Sequence, residues 1–327
     1  FADPLNSACV VSPVVQAMSP ESAGCSAGIE VTVTGLYFCN LEDVRVGEEY
    51  AAITEITETY VSFILPSGSG SQVVELITTY DVVVEAGTFI YAPPILSSLS
   101  SNQVECAGGG LLTVYGQNLC EAFLLVAGDT VSITELSPDS MTFEVPPMTS
   151  YSESVVAEAG GQISNALNYS GLPPVINSVS GGPFGCAGGD ELTLHGSNFC
   201  QADITVGGVS VDIVSITSTA ITFDVPEATG TSAPGVLNSP WGPAEFYVPY
   251  SPPVLYAIFG EPDCYGGSTV TLLGSNLCDA QVFVDGQEVA VTYNTATEVD
   301  FIETGGSGTL DVQVVAPNLF LWWSSQF

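Results

Sequence analysis

Nine cysteines, a single histidine and several paired carboxylates are the residues with chemistry to offer. Eight of the cysteines fall in a fixed pattern, two flanking thirteen residues: Cys25 and Cys39, Cys106 and Cys120, Cys186 and Cys200, Cys264 and Cys278, with Cys9 left over. No C-x-x-C or Cys/His spacing of a zinc site occurs, so the cysteines read as disulfide partners of an oxidising compartment. His195 stands in a strand-like stretch where the sister positions are Thr34, Tyr115 and Leu273, and it reads as an ordinary strand residue. A Ser-His-Asp mechanism would need a serine and an acid brought to it, and no motif marks them. The pairs Glu42-Asp43, Glu48-Glu49 and Asp190-Glu191 could serve as acid and base or ligate a hard cation, but they read better as solvated strand edges. Calcium is the ion to consider, since it takes carboxylate and carbonyl oxygen. The acidic residues Glu105, Asp190, Glu191, Glu261 and Asp263 cluster near the cysteines, yet none forms an EF-hand loop. No catalytic set, no metal site and no cofactor are therefore expected.

The charge balance narrows the partners. The 327 residues carry 36 acidic side chains against one basic one, Arg45, for a net charge of −35. Nucleic-acid binding needs Lys and Arg to displace counterions from phosphate, and anionic membrane surfaces attract the same side chains. Both partners are excluded. No apolar run is long enough for a spanning helix, so no membrane insertion is expected. At 46% hydrophobic residues the chain has ample core material and is not a disordered acidic tail. It begins at Phe1 instead of Met, which reads as a processed, secreted chain at the cell surface or outside the cell. Asn168-Tyr169-Ser170 is an N-glycosylation triplet.

The cysteine pattern sits inside a longer repeat. The segments CSAGIEVTVTGLYFC, CAGGGLLTVYGQNLC, CAGGDELTLHGSNFC and CYGGSTVTLLGSNLC start at residues 25, 106, 186 and 264. Each unit opens on proline and an aliphatic run, as in Pro173-Pro174-Val175-Ile176. It then shows a stretch closing on glycine, such as ITVGG at 204–208, and an alternating segment such as ITSTAITFDVP at 216–226. Leu192 and Leu194 alternate with Thr193 and His195, the period of a half-buried strand. Short strands punctuated by Gly, Pro and Asn indicate a sandwich. The expected division is an N-terminal extension 1–10 and four domains at 11–92, 93–172, 173–251 and 252–327. The glycine before Asn (Gly116, Gly196, Gly274) is expected at a bulge or left-handed turn, with the asparagine completing that turn.

Together, Gly-Gly-x-x-Leu-Thr-Leu-x-Gly-x-Asn-Phe, Val-Gly-Gly and Ile-Thr-Phe-x-Val-Pro resemble the IPT/TIG domain, most closely in unit three. Unit one departs from it with Gly35-Leu36-Tyr37. The resemblance implies an all-β chain of four tandem immunoglobulin-like sandwiches, with proline junctions that would make a stiff rod. Family members include receptor ectodomains, microbial surface proteins, companions of carbohydrate enzymes and dimerisation parts of transcription factors, so the fold leaves the function open.

The implied fold allows two disulfide schemes. One is local: Cys25–Cys39, Cys106–Cys120, Cys186–Cys200 and Cys264–Cys278. In such a domain, however, a whole strand separates the two cysteines, roughly 20 Å at ~3.3 Å per residue, far beyond disulfide reach. The other scheme staples neighbours: Cys25–Cys120, Cys106–Cys200 and Cys186–Cys278, leaving Cys264 to meet Cys39 or Cys9 of a neighbouring subunit.

The ends suggest what the chain could do. Residues 318–327 are unusually aromatic, and adjacent tryptophans on a strand point to opposite faces. Phe1, Pro4, Leu5 and Cys9 of one copy could receive Phe320, Trp322, Trp323 and Phe327 of another, a head-to-tail contact that builds a fibre. The main expectation is thus a structural subunit of an extracellular filament, tube or sheath whose partners are copies of itself. The alternative is an adhesin stalk or receptor ectodomain that binds a glycan or protein.

Overall fold

The computed structural model describes residues 11–260, 265–305, 311–316 and 319–321. The chain divides into two compact units, Phe1–Gly171 and Leu172–Phe327, each holding two of the sequence repeats.

In the second unit, the four strands Val175–Ser180, Glu191–Ser197, Ala220–Asp224 and Ile213–Ile216 form one sheet of repeat 3 in that order. Val209–Ser210, Asp203–Val206, Ser232–Ser239 and Gly242–Pro249 form the other. Repeat 4 copies this plan with Val254–Phe259, Thr269–Ser275, Glu298–Ile302 and Val291–Asn294 facing a second four-stranded sheet. Alternation does the sorting. Leu192, Leu194, Ile221 and Phe223 of one sheet and Ile204, Val206, Leu237 and Phe246 of the other fill a single core, while the intervening Thr and Ser face outward. Phe223 and Phe246 close this core with ring centroids 5.9 Å apart.

The first unit holds repeats 1 and 2 on the same strand order, each with a short parallel strand added at one edge, Ser22–Ala23 and Gln103–Val104. In repeats 2, 3 and 4 the strand after the Val-Gly turn is cut in two, as at Asp129–Thr130 and Ile133–Leu136. In repeat 1, Glu49–Ile56 runs unbroken and pairs with both Leu41–Val46 and Tyr60–Ile64. Its two sheets thereby become one eight-stranded sheet folded on itself. The lone cation is used on this sheet: Arg45 faces Glu75 across strands and donates through Nε at 2.8 Å, with a second bond from its terminal nitrogen.

The motif glycine stands at a bulge, as expected, though the extra residue is not on its own strand. Gly116, Gly196 and Gly274 keep ordinary strand backbone, and the bulge lies on the partner strand, where one extra residue (Ser97, Asn177 or Tyr256) is squeezed in. The squeezed strand pushes a carbonyl into the place of a Cβ: Ile95 O, Val175 O and Val254 O would lie 2.3, 1.9 and 2.2 Å from it. Any side chain there would break the pairing. The residue that takes the left-handed backbone is the asparagine, Asn118 (φ 57°), Asn198 (φ 59°) or Asn276 (φ 58°).

Each of the first three repeats ends on a buried tyrosine. Tyr91 donates to Pro66 O at 2.9 Å and Tyr250 to Pro226 O at 2.8 Å, tying the last strand to the Val-Pro or Leu-Pro corner. In repeat 2, Tyr169 donates instead to the buried Glu153. Burial raises all three phenols, Tyr91 and Tyr250 to about 12, with Glu121 adding to Tyr91 and Glu153 to Tyr169. Above the ordinary phenol value of 10.0 the unfolded chain sheds these protons while the folded chain keeps them. The stability they contribute is complete below pH 10 and is lost as pH rises towards 12. Denaturant midpoints followed from pH 9 to pH 12 should fall in this window. Tyr91→Phe should flatten the fall for the first unit, at a cost of about 1 kcal/mol near neutrality from the lost hydrogen bond.

Candidate functional site

The structure concentrates its chemistry where one repeat meets the next. In the first unit Cys25 is bonded to Cys120, and in the second Cys186 is bonded to Cys278, with Cα atoms 5.7 and 5.9 Å apart. The local scheme is therefore corrected at Cys25, Cys120, Cys186 and Cys278. The strands Leu111–Gln117 and Glu191–Ser197 hold the two cysteines of one repeat at opposite ends, about 23 Å apart for seven residues. Cys39, Cys106 and Cys200 are also disulfide-bonded within the chain. That removes Cys39 from the expected link to Cys264 of another subunit.

Beside each bond the left-handed asparagine works in two directions. Asn118 Oδ1 accepts from the N–H of Cys25 at 3.4 Å, and its Nδ2 donates to Pro93 O at 3.0 Å. Asn276 repeats this with Cys186 N–H at 3.2 Å and Pro252 O at 3.1 Å. Cys120 and Cys278 each donate their N–H to the partner sulfur at 3.2 Å. Gly24 and Gly185 precede the receiving cysteines, and a Cβ at Gly24 would sit 3.0 Å from Asn118 Oδ1. The G-x-N-L-C segment is thus a clasp for the preceding repeat as well as a turn. Sequence reasoning assigned the asparagine only to its own turn; its register with an inter-repeat cysteine was the available signal.

Two more contacts close the first junction. Ser69 donates to Glu121 at 2.9 Å, and the backbones of Gly70 and Gly160 meet so closely that a Cβ on either would fall within 2.5 Å of the other loop. Below them opens a cleft of about 350 Å³ lined by Val46, Glu48, Glu49, Gln72, Tyr91 and Glu121. Its three carboxylates make it hostile to anions. In repeat 1, Tyr37 (φ 67°) takes the clasp position and, with Val11, Tyr80 and Val82, leaves that pole exposed and apolar.

The remaining sequence candidates lie apart. His195 is exposed on the outer sheet face of repeat 3, with Nε2 3.1 Å from Ser180 Oγ, and among the described residues no carboxylate meets its other nitrogen. Glu42, Asp43, Glu105, Asp190 and Glu191 are exposed, Glu48 and Glu49 rim the cleft, and Asn168 sits exposed on the strand Leu167–Gly171. Among the described residues no three His, Cys, Asp or Glu side chains converge on a metal position. Phe1, Pro4, Leu5, Cys9, Glu261, Asp263, Cys264, Trp322, Trp323 and Phe327 lie outside the described residues. Phe320 falls in the strand Leu319–Leu321, opposite Val315.

These features define a class: tandem immunoglobulin-like β-sandwiches whose neighbours are stapled by disulfides. The IPT/TIG domain model matches residues 13–91, 94–170 and 174–239, and the chain belongs to the IPT/TIG family. Tiger protein E1 of Dictyostelium discoideum is 25% identical over 260 residues, 68% of this chain but 27% of that protein. Among solved structures, the plexin A4 extracellular region covers 95% of the chain at 14% identity with a TM-score of 0.29, the chain spanning 30% of it. A surface glycan-binding protein of Prevotella bryantii covers 94% of this chain and is itself covered over 99%, at 10% identity with a TM-score of 0.35.

The clasp yields a graded expectation. Asn118→Ala loses both hydrogen bonds and puts a Cβ-bearing residue without side-chain compensation in left-handed backbone, at about 1–3 kcal/mol. Asn118→Asp keeps the acceptor for Cys25 and loses only the donor to Pro93. Hydrogen exchange should show faster opening at residues 24–26 in the alanine variant than in the aspartate variant, with the core of repeat 3 unchanged.

Proposed function

We propose that the chain is the ligand-presenting part of an extracellular or cell-surface protein, in which stapled IPT/TIG repeats display a binding face for a glycan or another protein and carry out no catalysis. The observation that carries this reading is the junction. Disulfide, asparagine clasp and buried cysteines recur in both units, so the chemistry of the chain goes into fixing one repeat against its neighbour. Disulfides of this kind persist in oxidising surroundings, which supports the location. The one histidine lies on an open sheet face, where nothing excludes water, which supports a role without catalysis.

A second reading, the subunit of a filament, is favoured by the pole of repeat 1. The surface that receives a preceding repeat in repeats 2 and 4 is exposed there, with Tyr37 and Tyr80 bare. A second copy could dock on it, though without a bond to Cys39. Light scattering and negative-stain imaging over a wide concentration range, with and without reductant, separate the two. A monomer of 33.8 kDa that is selectively retained on a glycan or extracellular-protein array is the expected result. Regular fibres in the oxidised sample would overturn it in favour of the filament.

A further inference from the structure

The outer face of the first sheet of repeat 4 differs from its counterparts. In repeat 3 the row across this face is Ser180, Thr193, Thr222 and Ser215, in cross-strand register. Thr193 and Thr222 bond to each other at 2.9 Å, as do Thr113 and Thr142 (3.0 Å) in repeat 2 and Thr32 and Ser62 (2.9 Å) in repeat 1. In repeat 4 the same row reads Phe259, Thr271, Asp300 and Tyr293. The hydroxyl pair is gone, and Asp300 Oδ1 is a buried acceptor without a hydrogen-bond donor. Phe259 and Tyr293 are 56% and 52% exposed on the two edge strands, three strand spacings or about 14 Å apart. Tyr256, the bulged residue, is 65% exposed and bonds Ser275 on this face at 2.8 Å.

From this arrangement we infer that the face is a binding site for a neutral polysaccharide, an inference that rests on the binding-module reading above. Aromatic rings bury the C–H faces of pyranose rings, and Tyr adds a polar edge. Asp300 is half-buried, and a turn of its side chain that brings the carboxylate to the surface lets a sugar hydroxyl supply the donor its buried oxygen lacks, whereas in the sister repeats Thr222 and Thr142 are already satisfied. Charge selects the class. The chain carries net charge −35 and one arginine, which is committed to Glu75, so phosphate, sulfate and uronate ligands find no cation and a second copy is repelled. A hydroxyl-rich, uncharged chain is the occupant whose donors match carboxylate and hydroxyl acceptors.

The test is affinity electrophoresis of the full chain through gels containing galactomannan, xylan, dextran or β-glucan, with alginate and heparin as anionic controls. Retardation by at least one neutral polymer and by neither anionic one is expected. Phe259→Ala with Tyr293→Ala should weaken the association by about tenfold or more. Asp300→Thr restores the hydroxyl pair of the other repeats, so it should raise the melting temperature of the second unit while also weakening binding, a split that a purely structural role would not produce. Tyr247→Ala, an exposed aromatic of repeat 3, should leave the mobility shift unchanged. Absence of retardation by every neutral polymer overturns the inference. So does retardation that survives all the repeat 4 substitutions, which would leave the binding-module reading standing with its site elsewhere. A concentration-dependent dimer abolished by the same substitutions would make a second copy the occupant and overturn it as well.

Discussion

The tandem arrangement depends on one residue in an uncommon backbone conformation. The asparagine after the second strand must be left-handed for its side chain to reach both the preceding repeat and the linker proline, and asparagine is the non-glycine residue that accepts this most readily. Glycine would take the turn but bring no side chain, and most other residues would strain it. The need for a clasp follows from size and charge. A repeat of about 80 residues buries a modest share of its surface and is marginal alone. Its neighbours are as acidic as itself, so their contact is opposed by repulsion that few cations offset. A disulfide closing more than 90 residues restricts the unfolded chain, in the entropic model by roughly 4–5 kcal/mol. The asparagine then specifies the angle at which the stapled repeats meet.

The bulge opposite the motif glycine separates what is invariant from what is free. Its squeezed carbonyl fills the space of a Cβ, so the glycine cannot vary. The extra residue, by contrast, projects from an outer face where packing imposes little. Gln16, Ser97, Asn177 and Tyr256 occupy it in the four repeats. One backbone device therefore offers a position where chemistry can change without cost to the core, and only repeat 4 places an aromatic there.

Repeats, strand alternation and the register of the cysteines were legible in the sequence because each is a local or periodic property. Leu192 and Leu194 against Thr193 announce their strand without reference to anything distant. The inter-repeat pairing was legible too, since a seven-residue strand has a definite length. What escaped was the consequence of contacts between segments far apart. Asn118 looks like a turn residue until Cys25, 93 positions earlier, is brought to it. The continuous sheet of repeat 1 turns on one strand pairing on both edges, which alternation alone does not show. The aromatic row of repeat 4 was visible in part: Phe259 aligns with Ser180. The meaning of Asp300 emerged only from the missing hydroxyl partner.

A chain nearly free of Lys and Arg must find its positive electrostatics in backbone N–H groups, and it does so repeatedly. Asn118 and Asn276 each take the N–H of a cysteine, and the buried Glu153 takes the N–H of Thr149 at 2.7 Å together with its hydroxyl. Backbone donors are fixed by the fold and cannot reach out as lysine can, so they serve internal joints better than ligands. On the binding-module reading proposed above, recognition by such a surface falls to hydroxyls, carboxylate acceptors and aromatic faces. That inventory suits partners that bring their own donors and carry no negative charge, and it makes discrimination against anions a property of the whole chain and not of any one site.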